Sequence, residues 1–414
     1  MKIVLINTSE SVGGAAIACK RLYEAHCSQG LEVKHLVLHG DKNSDAIQIK
    51  QGGWSSKVKL YLEKLQFWFY EKSADYRFKF STATTGFDLS QHPAIQEADV
   101  IHFHWLQQGF LSLKNIQSII SLGKPVFWTM HDMWTFTGGC HYVEDCSNFK
   151  NKCGHCFMLR RSSTKDLSHV LWHRKEVLYN DSNLTFITCS AWLKRIAKTS
   201  KLLSNKTVVV VPNPIDVNFF LPRKSKKSKK YTLLIQAMDL NDERKGFKYF
   251  IECLKELLAT NKEITNLIKI NCFGKASDAG IRALGFEVHS FGFLKSKEEI
   301  LQAYQSSDIL MIPSLQDNLP NAVMESLSCG LPVVGFDTGG IPEMVDHKVN
   351  GFITEKKNVT GLAVGIEWII NSESRYEELS KNARQKVLDS YSYETISKKY
   401  LAVYYSKLQN KIGE

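Results

Sequence analysis

The sequence predicts an α/β protein built from two doubly wound domains. Short apolar runs rich in β-branched residues alternate with segments of helical spacing along the 414 residues, a pattern typical of parallel sheets covered on both faces. The runs fall into two series, separated near residues 212–230 by Pro212-Asn213-Pro214 and a basic Ser/Lys run. Because such sheets bind ligands outside the carboxyl ends of their strands, two facing sheets would create a cleft.

The first domain is predicted to span residues 1–211. Its expected strands lie at 2–7, 32–38, 99–104, 125–130 and 207–211. A loop of small residues containing Gly13 and Gly14 follows the first strand. The spacing of Ile17, Leu22 and Ala25 then predicts a helix over 15–29.

The second domain is predicted at 231–393, after a linker at 212–230. Its expected strands lie at 231–236, 268–273, 287–291, 308–312 and 332–336. Residues 394–414 are expected to form a last helix that packs back across the domains, because aromatic side chains such as Tyr400 and Tyr404 favour burial.

The charge and hydropathy patterns limit the class of protein. The net charge of +11 is concentrated in residues 1–230, whereas residues 231–414 hold slightly more acidic than basic side chains. This asymmetry indicates an anionic partner, or else only a solvated basic face. No apolar run approaches the roughly 18 residues of a membrane span. The opening apolar run is too short for a secretory signal, so a cytoplasmic location is expected.

Arg244 and Lys245 form the first candidate binding site. They follow the predicted strand 231–236 and precede an apolar helix face that begins at Phe247. A helix N-terminus presents unpaired backbone N–H groups and the positive end of the helix dipole. Two added cations therefore predict a phosphate site, and the alternative is an exposed basic pair.

Two acidic residues and a glycine turn mark the same edge of the second sheet. Asp317 lies in the loop after strand 308–312, and Glu325 lies about one turn into a helix predicted at 321–329. Both acids are expected to point at one crevice. The alternative is that Asp317 caps the helix and Glu325 is a surface acid. Gly339-Gly340 would let backbone approach a ligand closely.

A cysteine cluster is the third candidate site, formed by Cys140, Cys146, Cys153 and Cys156. The surrounding segment is short, polar and punctuated by glycine, so a structural Zn²⁺ held by four thiolates is expected to order it. His141 or His155 could replace one cysteine. Reduced buried thiols or two disulfides are the alternatives. A closed four-thiolate site would take no part in catalysis.

Several motifs agree in order and spacing with one known family. They are Gly13-Gly14-Ala15-Ala16, Val211-Pro-Asn213-Pro-Ile-Asp216, Arg244-Lys245-Gly246, Asp317 with Glu325-Ser-Leu-Ser-Cys-Gly-Leu-Pro-Val-Val, Gly339-Gly340-Ile-Pro-Glu343 and Asn350-Gly351-Phe352. Together they resemble the retaining glycosyltransferase family 4, of GT-B fold. Met130-His131-Asp132-Met133-Trp134 with Thr137-Gly-Gly-Cys-His-Tyr142 is similar to bacterial transferases that build capsule, O-antigen or colanic acid.

The resemblance implies a role for each matching residue. Glu325 would contact the nucleotide ribose, and Asp317, or Asn318 in its place, would contact the donor sugar. Arg244 and Lys245 would hold the diphosphate. His131 would position the donor sugar. The further donor-binding positions are Gly13, Gly14, Asn213, Gly292, Leu319, Gly339 and Gly340.

A nucleoside diphosphate sugar is the implied donor, and a saccharide or lipid-linked saccharide is the implied acceptor. Cations would stabilise the departing diphosphate, so no metal cofactor is expected for catalysis. A sugar-nucleotide 2-epimerase of the same fold is the nearer alternative. A basic, zinc-containing nucleic-acid binder is the other, but the acidic second half and the lack of a recognition-helix pattern oppose it. We therefore expect no nucleic-acid partner.

Residues 54–80 combine many aromatic side chains with six basic and three acidic residues. A basic, aromatic, amphipathic segment can lie in a lipid headgroup layer. Peripheral contact with the anionic inner face of a membrane is therefore expected. The alternative is a packed helix that lines the acceptor cleft.

Overall fold

The chain forms two compact units, one made of Met1–Asn213 with Ile396–Glu414 and the other of Pro214–Thr395. The computed structural model describes residues 1–42, 44–49, 53–180, 184–223, 230–275 and 278–412. Most of the basic run in the predicted linker, residues 224–229, lies outside the described residues.

The N-terminal unit is a parallel sheet with helices. Its strands are β1 (Lys2–Ser9), β2 (Glu32–His39), β3 (Ile47–Gln48), β4 (Val100–Phe103), β5 (Val126–Met130), β6 (Leu184–Thr188) and β7 (Val208–Val210). Its helices are α1 (Gly14–Ser28), α2 (Gly53–Trp68), α3 (Pro93–Gln96), α4 (Leu113–Ile120), α5 (Leu167–Leu178) and α6 (Ala191–Thr199). The strand order is β3-β2-β1-β4-β5-β6-β7.

Both faces of this sheet are buried, as parallel sheets require. Val4 and Ile6 of β1 belong to one apolar core, and Ile3 and Leu5 belong to the core on the opposite face. This alternation follows from the two-residue period of a strand. The second core is completed by tyrosines of the last helix.

The C-terminal unit repeats this architecture. Its strands are β8 (Tyr231–Asp239), β9 (Ile268–Lys275), β10 (Val288–Ser290), β11 (Ile309–Ile312), β12 (Val333–Phe336) and β13 (Gly351–Thr354). Its helices are α7 (Phe247–Thr260), α8 (Ile264–Leu267), α9 (Ala279–Arg282), α10 (Lys297–Gln305), α11 (Asn321–Ser328), α12 (Ile341–Met344), α13 (Val359–Ile370) and α14 (Glu373–Ser390). The strands are parallel in the order β10-β9-β8-β11-β12-β13.

The predicted α/β class with two doubly wound sheets is confirmed. The predicted strands are present, with ends shifted by up to three residues, while β3, β6 and β13 were not predicted. The last helix, α15 (Tyr393–Ile412), begins one residue before its predicted start. From Ile396 onward it belongs to the N-terminal unit, where Tyr400 and Tyr404 are buried.

Among the described residues, no helix has both the length and the apolar character needed to span a membrane.

Candidate active site

The candidate site of the C-terminal unit lies where the strand order reverses. The strands β9 and β10 extend from one side of β8, whereas β11, β12 and β13 extend from the other. The loops after β8 and β11 therefore diverge, which creates a crevice at the carboxyl edge of the sheet. The first of these loops carries Arg244 and Lys245, and the second carries Asp317.

Arg244 and Lys245 lie on a separate 3₁₀ turn, Glu243–Lys245, which ends at Gly246, the N-cap of α7. They therefore directly precede the N-terminus of α7, and the 3₁₀ turn itself was not predicted. The side chain of Asp242 begins the turn by accepting a hydrogen bond of 3.0 Å from the Arg244 N–H. Gly246 ends it with a φ of +71°, and a Cβ there would lie 1.9 Å from the carbonyl oxygen of Pro313. Only glycine fits this position, so the turn is held against the end of β11.

Both cations of this turn face one carboxylate. Lys245 Nζ lies 2.7 Å from Asp317 Oδ2, and Arg244 Nη1 lies 3.8 Å from the same oxygen. Burial raises the pKa of Asp317, but the charges of Lys245 and Arg244 outweigh that effect and hold the pKa below its usual value. Asp317 is therefore ionised at neutral pH. Asp317 does not cap α11, whose N-cap is Pro320, so the capping alternative is wrong.

Glu325 is a buried acid, with 8% of its surface exposed, so the surface alternative is also wrong. Its Oε2 accepts a hydrogen bond of 2.8 Å from the hydroxyl of Tyr304, a fully buried residue of α10. The amide of Gln236 donates to the same hydroxyl at 3.3 Å. These contacts fix the carboxylate of Glu325 in one orientation.

The glycine turn after β12 packs on the backbone of Asp317. Gly339 has a φ of +63°, and a Cβ there would lie 1.6 Å from the Asp317 carbonyl oxygen. The N–H of Gly340 donates to that same oxygen at 3.0 Å. This glycine pair thus holds the acidic loop, and the N–H of Gly340 is already engaged.

The remaining predicted donor positions of this unit lie on two loops. Asn318 and Leu319 are buried in the loop of Asp317. Gly292 follows β10 with a φ of +65°, and its carbonyl accepts a hydrogen bond of 2.8 Å from the N–H of Gly274.

The N-terminal unit has its own polar cluster, next to the reversal of strand order between β1 and β4. Gly13, with a φ of +95°, is the N-cap of α1, the helix that starts at Gly14. His131 follows β5, and its Nε2 lies 3.0 Å from His104 Nδ1. Burial lowers the pKa of His131 to about 4, so this imidazole is neutral at neutral pH.

His131 and Asn213, two predicted site residues of the N-terminal unit, both contact Cys189, which was not predicted. The thiol of Cys189 lies 3.7 Å from His131 Nδ1 and donates to Asn213 Oδ1 at 3.0 Å. The sequence offered no motif for this contact, because Cys189 is an isolated buried cysteine at the end of β6.

Asp132, which was not predicted as a site residue, lies beside His141. Its Oδ2 lies 2.7 Å from His141 Nδ1 and accepts a hydrogen bond of 3.0 Å from the indole N–H of Trp105. The second ring nitrogen of His141 lies 2.9 Å from the Ser81 hydroxyl. Both ring nitrogens of His141 are thus engaged in hydrogen bonds. Neither is available to a metal, so the suggestion that His141 could replace a cysteine ligand is wrong. The signal available in sequence was a carboxylate next to His131, followed by a histidine in a glycine-rich loop.

Two doubly wound parallel sheets, each with polar residues at its reversal point, form the architecture of the GT-B fold. The model described as Glycosyltransferase Family 4 matches residues 12–219, and the model described as Glycosyl transferases group 1 matches residues 218–386. The chain belongs to glycosyltransferase family 4, as predicted.

Two relatives of this chain are also named as glycosyltransferases. An uncharacterized glycosyltransferase of Methanocaldococcus jannaschii is 23% identical over 78% of this chain and 88% of its own length. The putative colanic acid biosynthesis glycosyl transferase WcaC of Escherichia coli is 26% identical over 62% of this chain and 64% of its own.

Solved structures agree with the fold. A sucrose-phosphate synthase of Thermosynechococcus elongatus aligns with a TM-score of 0.67 at 14% identity, covering 99% of this chain and 100% of its own. The Anabaena protein HepE, in complex with UDP, aligns with a TM-score of 0.62 at 17% identity, covering 98% and 100%.

Proposed function

We propose that the protein is a retaining glycosyltransferase that moves a sugar from a nucleoside diphosphate sugar to a saccharide or lipid-linked saccharide in bacterial surface polysaccharide synthesis. The observation that carries this proposal is the cluster of Arg244, Lys245 and Asp317 at the reversal of strand order in the C-terminal sheet. WcaC is named for colanic acid biosynthesis, and HepE has a structure in complex with UDP-glucose. The first name supports sugar transfer in polysaccharide synthesis, and the second supports a sugar-nucleotide donor.

The two cations would stabilise the leaving group. When the bond between the anomeric carbon and the diphosphate breaks, negative charge grows on the departing phosphate. Lys245 is already held by Asp317 and Arg244 by the carbonyl of Gln316, so neither needs to be reorganised for the reaction. Fixed donors of this kind are each worth roughly 3–4 kcal/mol in a water-poor site. Two of them can take the role that a divalent metal has in other transferases.

Retention requires the acceptor to attack from the face that the diphosphate leaves. The new glycosidic C–O bond forms as the C–O bond to the diphosphate breaks, and the acceptor proton passes to an oxygen of that leaving group. We assign no protein nucleophile. Glu325, oriented by Tyr304, would bind the ribose, and the neutral ring of His131 would position the donor sugar.

The test is an assay of nucleotide release from a panel of nucleoside diphosphate sugars, with and without saccharide acceptors. We expect release that depends on the acceptor, and a product whose anomeric configuration, measured by NMR, matches that of the donor. Conversion of the donor to its 2-epimer without an acceptor would show the alternative enzyme. An inverted product would overturn the retaining mechanism.

We also propose that the outer face of α2 and the residues after it contact an anionic membrane surface on the cytoplasmic side. The inner face is anchored, since Phe67 stacks on Phe80 at 4.7 Å between ring centroids and Glu63 accepts hydrogen bonds from the N–H groups of Ala83 and Gly109. The large apolar side chains left exposed are Tyr61, Leu62, Leu65, Trp68, Phe69, Tyr70 and Phe78. The side chain of Trp54 lies outside the described ones.

Exposed lysines accompany this apolar surface at Lys57, Lys72 and Lys79. Rings can enter the headgroup layer while each cation adds about 1 kcal/mol on anionic lipid. Sedimentation with vesicles of phosphatidylglycerol and phosphatidylcholine tests the idea at low salt. Trp68→Ser combined with Phe69→Ser should weaken binding by at least ~10-fold, and Tyr405→Ser, an exposed residue elsewhere, is the matched control. Absence of co-sedimentation, or self-association through this surface, would contradict it.

A further inference from the structure

The geometry does not carry the zinc site predicted in the loop between β5 and α5. No disulfide joins its four cysteines, and among the described residues no group of three or more histidine, cysteine, aspartate or glutamate side chains is placed to hold a metal ion. The cysteines are Cys140, Cys146, Cys153 and Cys156. The same loop does supply His141 to a polar crevice of the N-terminal unit.

This crevice lies between α2 and residues 77–82. It holds about 370 Å³ of empty space, counting the part that is open to solvent, and its walls include Glu63, Phe67, Phe80, Ser81, Gln108 and His141. Gln108 lies in the loop after β4, and His141 lies in the loop after β5. The crevice is therefore at the carboxyl edge of the sheet, where doubly wound folds bind ligands.

The hydroxyl of Ser81 ends a chain of hydrogen bonds at this crevice. Ser81 Oγ lies 2.9 Å from His141 Nε2, and His141 Nδ1 lies 2.7 Å from Asp132 Oδ2. A carboxylate only accepts hydrogen bonds, so Nδ1 carries the proton of the neutral ring and Nε2 keeps a lone pair. The Ser81 hydroxyl therefore donates to His141, and the lone pairs of its oxygen are left for a donor in the crevice.

Gln108 lines the crevice in a conformation that a non-glycine residue rarely adopts, with a φ of +62°. The next residue, Gly109, fixes this turn against α2. Its N–H donates to Glu63 Oε2 at 2.9 Å, and a Cβ there would lie 2.8 Å from the backbone nitrogen of Leu60. Within the described part of the chain, the Gln108 amide has no hydrogen-bond partner. Strain of this kind often occurs at ligand sites, and the amide offers two donors and an acceptor.

The charged groups of the crevice are largely matched inside the protein. Arg77 donates to Glu71 Oε2 at 3.2 Å, and Glu63 accepts hydrogen bonds from two backbone N–H groups. Lys64 lies over the ring of Phe78, 4.3 Å from its centroid. Neutral groups that donate and accept are thus left for a ligand. A sugar ring matches them, because each hydroxyl can both donate and accept, and its C–H groups are attracted to the faces of aromatic rings.

We propose that this crevice binds one sugar ring of the saccharide acceptor. One hydroxyl of the sugar donates to Ser81 Oγ, and another is bound by the amide of Gln108. His141, held by Asp132, is a positioning residue, since it fixes the direction of the Ser81 hydroxyl. This inference rests on the proposed transfer to a saccharide, and it gives the acceptor a binding site in the N-terminal unit.

Initial-rate kinetics with the saccharide that gives the fastest transfer test the site. Ser81→Ala and Gln108→Ala should each raise KM for the acceptor by roughly 3- to 10-fold, the loss of one hydrogen bond, and leave KM for the donor within about twofold. Ser121→Ala and Gln117→Ala, at exposed positions of the same unit, are the matched controls and should change neither constant. An unchanged KM for the acceptor in both crevice variants would overturn this site and leave the transferase function standing.

Binding without turnover separates the site from the proposed function. Saturation-transfer NMR with the methyl glycosides of glucose, galactose, mannose and N-acetylglucosamine needs no donor. We expect saturation to reach at least one glycoside, with a weaker signal in Ser81→Ala and an unchanged one in Ser121→Ala. If saturation reaches none of these glycosides, the sugar site is wrong. Binding of a glycoside by a protein that transfers no sugar would contradict only the proposed function.

A double-mutant cycle tests the role of His141. His141→Phe removes the acceptor of the Ser81 hydroxyl, so it should raise KM for the acceptor by a similar factor. Combined with Ser81→Ala it should add nothing, because both changes abolish the same oriented hydroxyl. A purely structural effect would instead multiply with that of Ser81→Ala, and this outcome would overturn the positioning role. Should His141→Phe fail to fold, His141→Gln takes its place in the cycle.

Discussion

Lys245 is the residue on which the proposed chemistry depends most. In Lys245→Ala, a charge-assisted contact that strengthens as the diphosphate leaves would be lost. We expect kcat/KM to fall by on the order of 100-fold or more, measured as acceptor-dependent nucleotide release. The melting temperature should also fall, because the buried carboxylate of Asp317 would keep only Arg244, at 3.8 Å, as a nearby cation, so turnover is compared in protein that circular dichroism shows to be folded.

Lys248→Ala is the matched control for this variant. Lys248 lies on the first turn of α7, carries the same charge and is exposed. Its removal should leave turnover within about twofold of the unaltered enzyme. Turnover in Lys245→Ala equal to that of the control would contradict the assignment of the diphosphate site.

Tyr304→Phe tests the orientation of Glu325. The variant keeps the ring and removes the hydroxyl that donates to Glu325 Oε2. A buried carboxylate that loses a hydrogen-bond donor should cost about 1–3 kcal/mol of stability. We expect KM for the donor to rise more than kcat falls, because ribose contacts are similar in the ground and transition states. A change confined to kcat, seen in initial-rate kinetics, would argue against ribose binding.

The sequence motifs identified most residues of this site, but not which residues they contact. Lys245 and Asp317 were each identified, but their contact joins residues 72 positions apart. It exists because β8 and β11 are neighbours in the sheet, and strand order cannot be inferred from one strand's pattern. Cys189 was missed for the same reason, since its partners His131 and Asn213 are distant in sequence.

At the level of elements, the glycine turn after β12 fixes the position of the loop that carries Asp317. Gly339→Ala would place a Cβ 1.6 Å from a backbone oxygen, in a left-handed conformation. The two loops must separate, so we expect a loss of several kcal/mol in the free energy of unfolding and a large loss of donor binding. Denaturant unfolding followed by circular dichroism measures the first effect.

Gly285→Ala is the control that separates the cost of a left-handed backbone from the cost of a steric clash. Gly285 has a similar φ of +83°, but a Cβ there would meet nothing within 4 Å. Only the left-handed penalty remains, about 1–2 kcal/mol. Equal destabilisation in the two variants would mean that the close approach of Gly339 to Asp317 does not hold the acidic loop.

Two of the three strands that were not predicted, β3 and β13, are short or lack a clear boundary, whereas β6 is a five-residue apolar and β-branched run that the sequence analysis overlooked. β3 has two residues and β13 begins with a glycine, so neither gives a run of apolar or β-branched residues long enough to recognise. Their pairing with β2 and β12 defines them. The 3₁₀ turn that carries Lys245 was not predicted, because a turn of three residues is too short to show a helical periodicity.

At the scale of the molecule, the N-terminal unit should be sensitive to acid. Burial lowers the pKa of its inner histidines, to about 3 for His26 and about 4 for His35 and His131, and well below the usual range for His102 and His104. The unfolded chain binds these protons at pH values near 6.5, so it holds more protons than the folded unit between about pH 6.5 and 4. Stability is therefore present above pH 6.5 and lost as pH falls.

Thermal unfolding followed by tryptophan fluorescence between pH 7.5 and pH 4.5 checks this expectation. Each buried imidazole contributes up to about 1.4 kcal/mol per pH unit below its unfolded pKa. His173→Gln, at an exposed position, should leave the profile unchanged, whereas His26→Asn should make it shallower. A melting temperature that stays constant down to pH 4.5 would refute neutral burial of these rings.

The last helix has a consequence for how the protein is made. The hydroxyl of Tyr404 bonds to His102, 302 residues earlier, and Ser397 bonds to His26, 371 residues earlier. A nascent chain ending near residue 213 already contains the seven strands described for the first sheet, but not α15, which together with α1 covers one face of it. The part of that face that α15 covers stays exposed on the ribosome while residues 214–395, a contiguous unit, are synthesised and fold. The unit that is translated first is completed last, and meanwhile this uncovered apolar surface is a target for chaperones.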